Sequence, residues 1–292
     1  MRFALALVLM LALAPALMTA PAAARRRPPP PTPTPVPTNS PTPAPSPVPQ
    51  SVRLERLRVT LAEIAHAAPG RLGIAVVDLV DGTHIDERGD ETFPLASVGK
   101  IAIALAAYRG ADQHHLDLDR RVVQNGIPRS VAESIAGMLL GSDPTATRTM
   151  LAQLGGTSAV NALVARLGVS GVDLVSGNAT PNALADLLGG IAQQHYTHLD
   201  STNEFLQLLA RVQNGAELFP AGVPAGSLAH EPGWSASVDG LTVATNDAGI
   251  LTMHDGRRIA LVAMLANSRA VLHARGAVFA SIARAVYATY SP

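Results

Sequence analysis

A serine and a lysine stand three residues apart in this chain, at Ser97 and Lys100, where an apolar helical run begins and continues to Tyr108. Side chains with this spacing lie on the same face of a helix, so the lysine amine can take the proton of the serine hydroxyl. The pattern therefore predicts a helix that opens with a serine nucleophile and its base. For the tetrapeptide alone, an N-capping serine followed by a solvated lysine is the alternative interpretation.

Two further motifs follow along the chain. The first is Ser142-Asp143-Pro144, and the second is Glu231-Pro232-Gly233, which comes before an apolar strand at 258–265. In order, spacing and flanking residues, the three motifs resemble those of the class A β-lactamases and their penicillin-binding relatives, which carry S-x-x-K, S-D-N and K-T-G. The likeness covers about residues 57–290.

The hydrophobic pattern agrees with the architecture that this resemblance implies. The periodicity predicts an amphipathic helix at 54–64, strands at 72–80, 83–86, 239–245 and 257–265, helical structure with short breaks at 111–212, and a closing helix at 269–290. The predicted fold class is α/β plus all-α. An antiparallel sheet is flanked by N- and C-terminal helices, and a helical domain is inserted into the α/β domain.

The expected domain boundaries follow from this pattern. We assign residues 51–111 and 216–292 to a discontinuous α/β domain and residues 112–215 to the helical domain. The resemblance implies that the site lies in the cleft between the two domains.

The resemblance also implies a role for each motif residue. Ser97 is expected to be the acylated nucleophile, Lys100 its proton acceptor, and Ser142 the relay that protonates the leaving group. The backbone amides of Ser97 and Trp234 are expected to form the oxyanion hole. The third motif, with Glu231, Gly233 and Trp234, is expected to bind the substrate.

Glu231 departs from the family, which has a lysine at this position to attract the carboxylate of a ligand. A glutamate replaces that attraction with a repulsion, and each is worth up to roughly 4 kcal/mol at 4 Å and an effective dielectric near 20. A carboxylate beside Lys100 would also stabilise its ammonium form and make it a poorer base. We expect an ion pair between Lys100 and Glu231 that either silences the site or adapts it to neutral or cationic substrates.

Pro144 and the loop at 169–179 depart from the family as well. Pro144 replaces the asparagine of the second motif and offers no donor to a substrate, although the same triplet is also typical of a helix start. Class A enzymes carry a glutamate on a longer loop that activates the deacylating water. Here the only acid of the loop is Asp173. An acyl-enzyme is therefore expected to be long-lived, unless Asp173 or Glu231 substitutes.

Composition excludes several other classes of function. Lys plus Arg and Asp plus Glu both number 22, so nothing indicates nucleic acid as a partner, and cysteine is absent. The histidine pairs His195/His198 and His114/His115 have no acidic or cysteine partner that would complete a zinc pattern. We expect neither a metal nor another cofactor.

The N-terminal residues indicate export. An apolar run after Arg2, with small residues at 22–24, predicts a signal peptide over residues 1–24, and an uncleaved membrane anchor is the alternative because Arg25-Arg26-Arg27 follows. Residues 25–50 are a proline-rich linker that cannot bury a core. It is expected to be an extended stalk associated with the membrane or cell wall, with a disordered tail as the alternative.

Two functions remain open from the sequence. The first is an exported, β-lactamase-like serine hydrolase that forms an acyl-enzyme on Ser97 and has weak or no ordinary β-lactamase activity. The second is a catalytically degenerate relative that serves as a binding module in the cell envelope. Both predict a small-molecule or peptidoglycan-type ligand, because they share one cleft.

Overall fold

A computed structural model describes residues 49–291. The predicted signal peptide and nearly all of the predicted proline-rich linker lie outside the described residues. No helix within 49–291 is both long enough and apolar enough to cross a membrane.

The main sheet has six strands, and all of its pairings are antiparallel. Its strands are β1 (Arg71–Asp78), β2 (His84–Glu87), β8 (Leu228–Trp234), β9 (Ser237–Val238), β10 (Leu241–Thr252) and β11 (Arg258–Ser268). Their order across the sheet is β2, β1, β11, β10 and β8, and β9 pairs with one end of β10. Strands β1 and β11 are apolar along most of both faces, as expected for a sheet covered on both sides.

Alternate residues of β11 enter two separate cores, because successive side chains of a strand point to opposite faces of the sheet. Ile259 and Leu261 face one core, which the terminal helices α1 (Gln50–Ala67) and α8 (Leu272–Tyr290) cover. Ala260 and Val262 face the other core, which the remaining helices cover. The sheet is therefore the wall shared by both cores.

Six helices lie on the second side. They are α2 (Lys100–Asp112), α3 (Val131–Leu140), α4 (Pro144–Gln153), α5 (Thr157–Arg166), α6 (Pro181–Ala192) and α7 (Leu199–Ala210). The central one is α2, whose residues from Lys100 to Tyr108 are all buried. Helix α6 packs directly on the sheet. This arrangement fixes the N-terminus of α2 beside the end of β8.

The sequence pattern missed one hairpin in the segment that it predicted to be helical. Strands β4 (Arg121–Gln124) and β5 (Ile127–Ser130) pair through Asn125-Gly126, whose φ angles are 48° and 79°. Two successive positive φ values are the geometry of a type I′ turn, for which Asn-Gly is the preferred sequence. The Asn125-Gly126 dipeptide is therefore the local sequence signal that could have predicted this hairpin.

A small second sheet connects the segment before Ser97 to the loop at 169–179. It consists of β3 (Phe93–Pro94), β6 (Val172–Asp173) and β7 (Asn178–Ala179), with β7 in the middle. Strand β3 leads directly into the turn that carries Ser97, so this pairing holds the loop against the start of α2.

The predicted fold class is confirmed, with an antiparallel sheet, flanking terminal helices and a helical layer. The prediction for β10 was too short, because it ended at Thr245. Polar residues such as Asn246 and Asp247 are typical of the end of a strand. In the structure both side chains are buried and hydrogen-bonded, and the strand continues through them. The boundaries predicted for an inserted domain, at residues 112 and 215, stay a prediction.

Candidate active site

Ser97 lies in a 3₁₀ turn, Ala96–Gly99, that leads without a break into α2 at Lys100. Ala96 has a φ of 46°, in the left-handed region that residues with a Cβ rarely adopt. The side-chain amide of Asn246 donates to the carbonyls of Pro94 and Leu95, at 2.7 Å and 2.9 Å. These two bonds hold the segment before Ser97 in place and offset the strain at Ala96.

Ser142 lies between α3 and α4 and also has a positive φ, 49°. Asp143 caps α4, since its carboxylate accepts a hydrogen bond from the Thr145 amide at 2.7 Å, and Pro144 occupies the first turn. The triplet is therefore a helix start. It also places Ser142 against the predicted base, because Lys100 Nζ donates to Ser142 Oγ at 2.8 Å.

Glu231 forms the expected ion pair with Lys100, with Nζ and Oε1 3.5 Å apart. Both side chains are buried, and Glu231 is 0% exposed. The separation is long for a hydrogen bond, and neither carboxylate oxygen has a hydrogen-bond partner among the described residues. Burial raises the pKa of Glu231 to about 8, while Lys100 opposes the rise and Asp247 adds to it.

A second buried pair supports the strand that carries Glu231. His230 Nδ1 and Asp247 Oδ1 are 2.8 Å apart, and the other oxygen of Asp247 accepts from the Phe219 amide at 3.1 Å. Burial lowers the pKa of His230, but the Asp247 carboxylate outweighs it and the net shift is upward. This contact fastens β8 to β10. The sequence analysis missed it, because the two residues are far apart in the chain.

Gly233 brings β8 into close contact with the backbone at Ser97. A Cβ at this position would lie 2.6 Å from the Ser97 amide nitrogen and 2.9 Å from that of Val98. Only a residue without a side chain permits this approach. The next residue, Trp234, borders the site with its side chain 40% exposed. The oxyanion role of the Ser97 and Trp234 amides stays a prediction.

A cavity of about 520 Å³ opens at the start of α2. Its lining comprises Ala96, Ser97, Gly99, Lys100, Ile103, Ser142, Pro144, Thr147, Arg148, Leu151, Thr157, Leu174, Trp234 and Ser235. A second cavity of about 380 Å³ shares Ser97, Ser142 and Trp234 with the first and is also lined by Gly233. Glu231 lies behind the lining of both. Its charge therefore acts on Lys100 rather than by contact with a ligand.

The short loop presents an apolar residue to the cavity. Asp173 accepts hydrogen bonds from the Asn161 side chain and the Val175 amide. Bonds from Ser176, Val175 and Asn161 hold its pKa at about 2. Leu174 is the residue of this loop that lines the cavity, and its side chain packs over Gly99.

The histidines considered as metal ligands lie outside this site. His195 stacks edge-on near Tyr196, and the backbone amide of His198 donates to Asp112. His114 is an exposed residue with a positive φ at the end of α2. Across residues 49–291, no three His, Cys, Asp or Glu side chains are placed to hold a metal ion.

Comparison with known proteins agrees with this geometry. Residues 56–290 match the model of the β-lactamase enzyme family. The extended-spectrum β-lactamase PER-1 of Pseudomonas aeruginosa is 25% identical in an alignment of 235 residues that covers 68% of this chain and 75% of that enzyme. The β-lactamase Toho-2 of Escherichia coli is 32% identical in an alignment of 123 residues that covers 37% of this chain and only 43% of that enzyme.

A solved structure shows the same likeness to β-lactamases. An ancestral class A β-lactamase superimposes with a TM-score of 0.72 and 26% identity, over 80% of this chain and 100% of its own. The resemblance inferred from the three motifs is thus confirmed at the level of the family. The chain belongs to the β-lactamase enzyme family.

Proposed function

We propose that the chain is a serine acyl hydrolase in which Ser97 forms a covalent acyl-enzyme. The observation that carries the proposal is the hydrogen bond from Lys100 Nζ to Ser142 Oγ at 2.8 Å, beside the cavity that Ser97 also lines. An amine bonded to one hydroxyl, beside a second hydroxyl that lines the same cavity, provides the components needed to move a proton during acyl transfer.

The chemistry follows from these contacts. The neutral amine of Lys100 takes the proton of Ser97 Oγ as that oxygen attacks the carbonyl carbon. The tetrahedral oxyanion is stabilised by the amides of Ser97 and Trp234. Ser142 delivers a proton to the leaving nitrogen or oxygen and is reprotonated from Lys100. The bond to the leaving group breaks, and an ester on Ser97 remains.

Deacylation is expected to be slow. A water must attack the ester, and it needs a base within hydrogen-bond reach. The loop beside the cavity contributes Leu174, while Asp173 is fully engaged in its own turn. Among the described residues that line the cavity, Lys100 is the group left for this role.

Ordinary penicillins are expected to be poor substrates. The third motif offers no cation to their carboxylate, and Pro144 offers no donor to their acylamide. Esters, amides and atypical lactams do not depend on both contacts. We therefore propose weak or no ordinary β-lactamase activity, although the relatives named above are β-lactamases.

A cell-envelope binding module is the second candidate. The observation that favours it is the Lys100–Glu231 ion pair, which stabilises the protonated, non-basic form of the lysine whenever Glu231 is ionised. Such a protein would bind a peptidoglycan-type or other small ligand in the cavity without acylation.

Export is part of both proposals. The apolar segment and small residues at 1–24 support a signal peptide, and the prolines at 25–50 support a stalk between the membrane or cell wall and the folded part. The protein would then act outside the cytoplasm, either secreted or held by an uncleaved N-terminal segment.

Intact-protein mass spectrometry separates the two candidates. Wild type, Ser97→Ala and a remote control, Ser281→Ala, are incubated with a penicillin and, separately, with a fluorophosphonate. A stable adduct in wild type and the control, absent from Ser97→Ala, supports the acyl hydrolase. No adduct with either reagent would overturn it in favour of the binding module.

A further inference from the structure

The charges of the larger cavity are unevenly placed. Among the described residues that line it, Lys100 and Arg148 are charged, and no aspartate or glutamate is present. Lys100 is already bonded to Ser142 and paired with Glu231. Arg148 donates to the neutral hydroxyl of Thr145 at 3.0 Å, and within the described part of the chain it forms no ion pair. Arg148 is therefore the cation of this wall that is open to a ligand.

The position of Arg148 follows from the helix that carries it. Pro144, Thr147, Arg148 and Leu151 all line the cavity and lie at helical spacings on one face of α4. At about 1.5 Å per residue, Arg148 is roughly 6 Å along the helix axis from Pro144. The planar guanidinium of an arginine presents a fork of N–H donors that is well suited to a carboxylate.

The rest of the lining indicates the other part of the ligand. Ile103, Leu151 and Leu174 contribute apolar surface to the same cavity. Transfer of apolar groups from water to such a surface is favourable. The cavity thus combines an apolar wall with one available cation.

We propose that Arg148 binds an anionic group of the ligand, so that the cavity selects acyl compounds with an apolar body and a carboxylate that reaches α4 rather than the third motif. The anionic group of the ligand would then be bound at α4 and not at the third motif, where Glu231 is buried. The proposal rests on the proposed function for the reacting end of the substrate, but binding of the anion does not require acylation.

Two matched esters test the selectivity on the full-length chain. The p-nitrophenyl monoester of glutaric acid carries a terminal carboxylate, and the corresponding glutaramic ester carries a neutral amide of nearly the same shape. Acylation is followed by p-nitrophenol release in wild type, Arg148→Ala, Arg148→Lys and Arg284→Ala. The last variant also removes one positive charge, but from an exposed position on α8.

We expect wild type and Arg284→Ala to prefer the acid over the amide, and Arg148→Ala to lose about fivefold of that preference, the size of an exposed ion pair. Arg148→Lys should retain part of it. Equal rates with the two esters in wild type, or a preference unchanged in Arg148→Ala, would overturn the proposal and leave the acyl hydrolase standing.

A binding measurement covers the case in which neither ester reacts. Trp234 is the only tryptophan and borders the cavity, so its fluorescence reports on occupancy. Glutarate should change the fluorescence of wild type and Arg284→Ala, with an affinity at least about fivefold weaker in Arg148→Ala. That result without acylation would support the anion site and overturn the acyl hydrolase. No response to glutarate in wild type would overturn the anion site.

Discussion

Lys100 Nζ and Glu231 Oε1 lie 3.5 Å apart, and both side chains are buried at the start of the nucleophile helix. A carboxyl with a pKa of about 8 keeps its proton over most of the neutral range, so the paired charge develops as the solution becomes alkaline. The charge that faces Lys100 therefore depends on the protonation state of a residue that lines neither cavity.

Replacement of Glu231 by glutamine should accelerate acylation. Glutamine has nearly the same shape and cannot ionise, so it cannot hold Lys100 in its ammonium form. Labelling of Ser97 by a fluorophosphonate should rise severalfold at pH 9 and change little at pH 7, where Glu231 is largely protonated. The labelling rate is measured by intact-protein mass spectrometry, and Glu55→Gln, a variant at an exposed position, serves as the control. An equal effect at both pH values would contradict the proposed coupling.

Replacement of Glu231 by lysine should increase labelling by penicillin in particular. It places a cation in the third motif, as in the family, although behind the cavity lining. Because two buried lysines can destabilise the fold, the thermal unfolding midpoint of the variant is measured alongside. A folded variant that labels no faster than wild type would remove the charge argument against penicillins.

Stability should fall as pH rises from about 4.5 to about 8. A carboxyl whose pKa is higher in the folded than in the unfolded state binds more protons when folded. Its contribution to folding stability is complete below the pKa of the unfolded state and is lost as the pH rises through the pKa of the folded state. Glu231→Gln should therefore be stabilised relative to wild type by a few kcal/mol at pH 9 and little at pH 4. Urea unfolding at both pH values tests this, and Glu55→Gln should show no pH-dependent difference.

Gly233→Ala should impair acylation more than stability. Its Cβ would meet the Ser97 amide at 2.6 Å, and backbone atoms must move to relieve the clash. A shift of about 1 Å at a reacting group costs about 100-fold in rate, whereas overpacking costs about 1–3 kcal/mol of stability. Gly137→Ala in α3, with ordinary contacts to Ala146, serves as the matched control. Wild-type labelling in Gly233→Ala would show that the close approach is not needed.

Leu174→Glu should shorten the life of the acyl-enzyme. It places a carboxyl at the cavity wall, where the loop now offers an apolar side chain. A positioned base contributes about 10²–10⁴-fold in favourable cases, so a decrease of at least about tenfold in adduct half-life is expected. Val175→Glu introduces the same charge at a neighbouring residue that is 62% exposed, and it should leave the half-life unchanged. Identical half-lives in both variants would argue against the loop as the cause of slow turnover.

The amino-acid sequence determined the family and most of the strand and helix content, and it predicts Ser97 as the nucleophile with Lys100 as its base. Ser97 and Lys100 are three residues apart in a continuous 3₁₀-to-α segment, so helical spacing predicts that their side chains lie near each other. Even the Lys100–Glu231 ion pair could be predicted, because the family motif places both positions in the same cleft. The missed hairpin at Asn125-Gly126 carried a readable local signal.

Only the tertiary structure decided how these groups are exposed. Burial and the neighbourhood of a charge depend on residues far apart in the chain, such as His230 and Asp247, and no local pattern encodes them. The structure therefore places Glu231 behind the cavity, turns Leu174 rather than Asp173 toward it, and brings Arg148 to its wall. Chemistry depends on these placements, because the pKa of a carboxyl and the availability of a cation are set by surroundings that packing creates.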